Sequence, residues 1–151
     1  MIEKLNQQDI SISNKIRAVF QVSYAIEAKL LNAKEFPPLK RPLDSFVKST
    51  NAFYGFWKHN ELAAVVEIKE ETNSTLIQSL VVNPNFFRQG IARQLIDFVF
   101  EKFSSKIINV ETGLDNEPAI KLYESFGFKE TLQYDTDIGI RKIRFEKTFC
   151  N

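Results

Sequence analysis

Cysteine is almost absent from this chain: the one in 151 residues is Cys150. A single thiol excludes a disulfide framework and a thiolate metal cluster, and it fits a reducing compartment. Histidine is equally scarce. His59 stands alone, and one histidine with one cysteine assembles no recognisable metal site, so no metal is expected. Its place in Lys58-His59-Asn60, between two apolar runs, reads as an exposed hairpin turn rather than a base. No stretch approaches roughly eighteen consecutive apolar residues, and the opening MIEKLNQQDISIS has no apolar signal core. A cytoplasmic protein with no membrane partner is therefore expected. Excess charge is also missing, because 20 basic and 19 acidic residues leave a formal net charge of +1. That balance argues against a surface for nucleic acid.

What the chain does have is apolar mass: 44% hydrophobic residues, fourteen of them Phe. Its length suits one buried core, so one domain spanning 1–151 is expected. After a short strand at Ile2 to Leu5, apolar residues recur at mostly helical spacing from Ile16 to Leu30, which predicts a helix from about Lys15 to Leu31. Pro37, Pro38 and Pro42 cannot continue it, so Glu35 to Pro42 reads as a loop, followed by a short helix from Leu43 to Lys48. Between Ala52 and Val82, runs at Phe53–Trp57, Leu62–Ile68 and Leu76–Val82 predict three antiparallel strands in a meander. A strand at Ile107–Leu114 and a short helix carrying Ala119, Leu122, Tyr123 and Phe126 come later. Gly127 is placed to stop that helix, before strands at Lys129–Tyr134 and Ile140–Phe149.

The segment from Leu76 to Phe103 carries the chemistry. An apolar strand ends at Asn83-Pro84, a basic turn holds Gly90, and Ile91, Leu95, Val99 and Phe103 recur every four residues along a helix. The first N–H groups of a helix lack intrahelical partners and carry part of the macrodipole, so an anion is stabilised there. Gly90 and Ala92 leave room for a bulky diphosphate beside Arg88 and Arg93. A Walker loop is excluded because no Gly-Lys-Ser/Thr closes the turn, and the three-glycine dinucleotide fingerprint is missing too.

Two segments together carry a family likeness: Leu80-Val81-Val82-Asn83-Pro84 leading into Arg88-Gln89-Gly90-Ile91-Ala92-Arg93, and Asn116-Glu117-Pro118-Ala119-Ile120-Lys121-Leu122-Tyr123-Glu124-Ser125-Phe126-Gly127-Phe128. The chain resembles the GNAT superfamily of N-acetyltransferases over nearly its whole length. The resemblance implies an α/β (α+β) fold: a central, mixed, mostly antiparallel, twisted sheet of about seven strands flanked by about four helices. It also implies acetyl-CoA as co-substrate, with the diphosphate held by Arg88, Gln89, Gly90, Ile91, Ala92 and Arg93. The backbone of Leu80, Val81 and Val82 would meet the acetyl carbonyl and pantetheine arm, and Asn116 would hold the arm as well as cap its helix. Phe87 stands where the family loop has Gln or Arg, a departure that puts side-chain charge on Arg88 or Arg93.

Acetyl transfer to an amine requires a neutral amine, a stabilised oxyanion and a proton for the departing thiolate. Tyr123 matches the family tyrosine near the sulfur, and the resemblance makes it the general acid and a cofactor contact. No acid occupies Gln78 or Ser79, where many members carry the base; Glu111 and Glu67 are the candidates, with ordered water as the alternative. The expected activity is transfer of acetyl from acetyl-CoA to a primary amine of a small molecule or peptide. The alternative is a non-catalytic acyl-CoA-binding or regulatory domain on the same fold. Asp135 and Asp137 could attract an amine, but two aspartates in a turn are also what a solvated turn contains. Monomer and homodimer stay open.

Overall fold

In a computed structural model, residues 1–149 are described; Cys150, central to the redox reading above, lies outside them. The element order is β1 (Ile2–Lys4), α1 (Ile10–Leu30), α2 (Leu43–Val47), β2 (Ala52–Lys58), β3 (Glu61–Glu70), β4 (Ser74–Val82), α3 (Ile91–Lys102), β5 (Ile107–Gly113), α4 (Glu117–Ser125), β6 (Lys129–Asp135) and β7 (Arg141–Thr148). One seven-stranded sheet runs β1-β2-β3-β4-β5-β7-β6, and only β4 and β5 pair in parallel. This is the mixed, mostly antiparallel sheet that the resemblance implies. No described helix is long and apolar enough to cross a membrane.

The helices cover both faces. Ile16, Val19 and Phe20 of α1 and Phe46 of α2 pack with Phe53, Val65 and Val81 on one side of the sheet. Ile91, Leu95, Ile96 and Val99 of α3 and Tyr123 of α4 pack with Tyr54, Val66, Ile77 and Phe145 on the other. Each helix therefore buries one apolar stripe, as its periodicity demands.

The largest departure from the expected boundaries is at α1, which begins at Ile10 rather than near Lys15. Asp9 is its N-cap, accepting from Ser11 N at 2.9 Å. The apolar stripe starts only at Ile16, so periodicity missed the polar first turn. Within the expected loop, Pro37–Lys40 form a 3₁₀ turn, which tolerates proline at its start. At the β2–β3 turn, His59 (φ 52°) and Asn60 (φ 63°) are both left-handed, the signature of a tight two-residue hairpin. His59 is exposed there.

Two details of β4 position the site. Its parallel pairing with β5 runs from Ser74↔Ile107 to Ile77↔Val110 and then stops. Yet β4 stays paired with β3 as far as Val82, and β5 with β7 as far as Gly113. The sheet thus splits between its two central strands while each keeps its outer neighbour. Just at the split, Glu67 pairs with Ser79 but Ile68 with Ile77, which makes Gln78 an extra residue on β4. A bulge of one residue inverts side-chain parity. Ile77 belongs to the core under α3, whereas Val81 belongs to the core under α1.

Candidate active site

A groove of about 690 Å³ opens where β4 and β5 part. Its floor holds Gln78, Ser79 and Leu80 of β4 and Glu111 and Thr112 of β5; α1 contributes Tyr24 and Glu27, α4 contributes Tyr123, and Pro37, Pro38 and Arg41 form the rim. Backbone groups that would have continued the β4–β5 ladder have no ladder partner beyond Ile77. Polar main chain of that kind needs a partner from water or a ligand. Leu80, Val81 and Val82 all lie on this stretch, with Val81 buried and Leu80 facing the groove.

Past β4, Asn83 caps a 3₁₀ turn at Pro84–Phe86 by accepting from Asn85 N at 3.0 Å. The chain then passes Arg88 at φ 62° and Gly90 at φ 73° before α3 begins. Gly90 is the N-cap of α3, and no side chain caps that helix start. By contrast, Asp9 caps α1 and Asn116 caps α4. A Cβ on Gly90 would meet nothing within 4 Å, so the space over the helix start is open. Of the predicted loop residues, Ile91 is in the core, and Gln89 accepts a hydrogen bond from Lys58. Arg93 donates to Ser125 Oγ at 3.1 Å and lies 4.6 Å over the Phe126 ring, which ties α3 to α4. Arg88 makes no hydrogen bond or ion pair among the described residues, and Phe87 is 45% exposed beside it at the groove.

Tyr123 sits on the inner face of α4, 5% exposed, with Phe128 and Phe145 at 5.7 and 6.0 Å between ring centroids. Phe128 N donates back to Tyr123 O at 3.1 Å, and Gly127 at φ 86° closes the helix beside it. Burial pushes the Tyr123 phenol well above its ordinary value, and Tyr24 and Glu27 push the same way. Asn116 does two jobs: Oδ1 accepts from Ala119 N at 3.4 Å, and Nδ2 donates to Glu27 Oε1 at 2.9 Å.

The two carboxylates considered as bases have different surroundings. Glu111 borders the groove at the first β5 residue beyond the parallel pairing, where it accepts from Arg144 at 2.6 Å and from the Tyr134 hydroxyl. Glu67 is fully buried and does not reach the groove surface. Arg41 grips it with bonds of 2.7 and 3.0 Å, Asn51 adds one of 2.8 Å and Ser79 one of 3.1 Å. Four donors match the roughly four lone-pair sites of a carboxylate. The bulge at Gln78 makes this possible, because it turns Ser79 toward Glu67.

Burial and the bond to Glu111 hold the Tyr134 phenol up at about 12, against an opposing pull from Arg144. The folded protein keeps that proton more tightly than the unfolded chain, so the contribution is complete below 10.0 and is lost as pH rises toward about 12. Denaturant titrations of Tyr134→Phe should show a shallower loss of stability across this window than the wild type. Identical slopes would show that the phenol is not coupled to folding.

Sequence reasoning missed Glu27, Tyr24, Thr112 and the bulge. One signal was available. Glu27 interrupts the stripe Ile16, Phe20, Tyr24, Leu31 at a position that faces inward, where a solvated charge does not belong. The bulge carries no signature, since Gln-Ser within an apolar strand reads as plain alternation.

The sequence model of the Acetyltransferase (GNAT) family matches residues 17–128. UPF0157 protein YqkA of Bacillus subtilis is 31% identical over 131 residues, covering 86% of this chain and 38% of that protein. The chain thus spans well under half the length of that relative. The crystal structure of the ribosomal-protein-S18-alanine N-acetyltransferase from Escherichia coli superposes with a TM-score of 0.77 at 21% identity, covering 98% of this chain and 92% of that one. A PaiA N-acetyltransferase from Thermoplasma acidophilum, in complex with coenzyme A, gives 0.74 at 19% identity, with 99% and 98% covered. The matched span reaches from within α1 through the split strands and the α3 start to Phe128, just past α4, so it takes in all of the groove lining except Lys142 of β7, and the chain belongs to the GNAT acetyltransferase family.

Proposed function

We propose that this chain, acting as one domain, is an acetyl-CoA-dependent N-acetyltransferase that moves acetyl to a primary amine by direct attack. The observation that carries the proposal is the meeting in one groove of unpaired β4 backbone and the buried phenol of Tyr123, with Phe87, three residues before the uncapped α3 start at Gly90, on the same lining. Acetyl-CoA supplies an acyl carbon activated as a thioester. Main-chain N–H groups from Gly90 to Arg93 would bind the diphosphate, with Arg88 as the side-chain cation. The exposed backbone of Leu80, Val81 and Val82 would align the arm, and an N–H near Val82 would steady the oxyanion. Asn116 would brace the arm from the opposite wall. Tyr123 would give its proton to the departing thiolate, and a phenol pushed upward by burial stays protonated through the neutral range. Glu67, with all its lone pairs engaged, holds Arg41 in place rather than taking a proton, whereas Glu111 keeps a face on the groove.

Calorimetry with acetyl-CoA tests the proposal. We expect saturable binding, weakened at least about tenfold in Gly90→Val, because a β-branched residue at φ 73° is strained and its side chain fills the open space over the helix start. No heat with acetyl-CoA at millimolar concentration would end it.

A further inference from the structure

Among the described residues, Glu27 is the one groove carboxylate with an oxygen that has no hydrogen-bond partner. Its Oε1 accepts from Thr112 Oγ1 at 2.8 Å and from Asn116 Nδ2 at 2.9 Å, and Asn116 also donates to Thr112 Oγ1 at 3.2 Å. Oε2 has no partner among the described residues, and it is not sealed in the core either. Two fixed donors on one oxygen hold the group in a single orientation and leave the other facing the groove. Glu111, by comparison, has a donor on each oxygen, and Glu67 has two on each. The helix pays for this placement by giving up an inward-facing apolar position to a charge.

We propose that Glu27 Oε2 receives the acceptor's ammonium group and takes its proton, and that the acceptor is a primary amine carried on an apolar, aromatic-compatible body. This rests on the acetyltransferase activity proposed above. Phe20, Tyr24, Pro37, Pro38 and Phe87 supply the walls for such a body. Glu27 is also close enough to Tyr24 and Tyr123 for its charge to act on both phenols, which puts the proton acceptor and the proton donor at the same end of the groove. The charged and titratable groups around it are Tyr24 on α1, Glu111 on β5, Tyr123 on α4, Lys40 and Arg41 on the rim, and Lys142 on β7.

The chemistry balances without a further reagent. The ammonium loses one proton to Glu27, which passes it to solvent. The neutral nitrogen forms a C–N bond to the acyl carbon, and the C–S bond breaks. The sulfur takes the Tyr123 proton, and the nitrogen's second proton restores the phenol. The products are the amide and the free thiol, with one proton released.

The test uses phenethylamine as acceptor and 3-phenylpropionate as its anionic counterpart. With CoA-saturated protein, calorimetry should show phenethylammonium binding that weakens at least about tenfold in Glu27→Gln, and no comparable binding of phenylpropionate. In steady-state assays Glu27→Gln should lower kcat/KM at least about 100-fold and flatten the low-pH limb of the profile. Glu27→Asp, which keeps the charge but retracts it, should fall between the two. Gln retains the acceptor for Thr112 and Asn116, so unchanged acetyl-CoA binding certifies the fold of the variant. Wild-type affinity and rate in Glu27→Gln would overturn the assignment, as would the same loss appearing in Glu111→Gln instead. Wild-type protein that binds acetyl-CoA but not phenethylammonium would overturn it too and leave the acetyltransferase proposal standing. Failure to bind acetyl-CoA would instead remove the activity on which it rests.

Discussion

Tyr123→Phe is expected to lower kcat by about 10²- to 10⁴-fold while leaving acetyl-CoA affinity within about twofold. The substitution removes one oxygen and little else. The ring at this position is 5% exposed and packs against Phe128 and Phe145, contacts that phenylalanine keeps. Its hydroxyl makes no hydrogen bond among the described residues, so the fold loses no partner. A thiolate must still leave, and without the phenol its proton has to come from water, which the buried position of this side chain restricts. The decisive comparison is pre-steady-state transfer against product release. If both the rate of the chemical step and kcat fall by less than about fivefold, Tyr123 is a core residue and the thiolate leaves unassisted.

The second large effect concerns stability. Arg41→Met should destabilise the protein by about 3–5 kcal/mol, measured by denaturant titration, because it leaves Glu67 as a buried charge with only Asn51 and Ser79 for company. The Arg41 side chain is 22% exposed and that of Glu67 1%, so solvent offers little relief. Stacking adds to the loss. The guanidinium lies 4.1 Å from the Phe46 ring centroid, with Phe20 at 5.7 Å and Phe53 at 5.9 Å. The double variant Arg41→Met, Glu67→Leu should recover most of that loss, since a buried pair replaced by apolar groups is often nearly neutral. A single-variant cost under about 1 kcal/mol would mean that the pair is solvated in solution.

The sheet, its helices and the glycine-led start of α3 were legible because each depends on local chemistry: alternation for the strands, a four-residue stripe for α3, a glycine before it, found at φ 73°. The boundary of α1 was not, since its first turn is polar and rests on one cap, Asp9. The site divides in the same way. Asn116 and Tyr123 sit in one short motif, and both line the groove. Glu27 and Thr112 are 85 residues apart and meet only through tertiary packing. Glu67 reads as a candidate base in the sequence because its partners, Arg41, Asn51 and Ser79, come from three separate segments. Spacing within a segment cannot report such a meeting.

The split between β4 and β5 also has a mechanical side. The sheet is two plates, β1 to β4 and β5 to β7, joined at the middle by four parallel pairs. Across the open end, α1 belongs to the first plate and reaches the second through the Glu27 bonds to Thr112 and Asn116. Beside that clasp, Leu31 lies so near Gly113 that a Cβ there would fall 2.3 Å from Leu31 Cδ2. The open end of the split is therefore spanned by the Glu27 carboxylate and Leu31 together with the packing of Ala28 and Phe36 on Ile140, and the one polar tie named among them is the side chain whose second oxygen faces the groove.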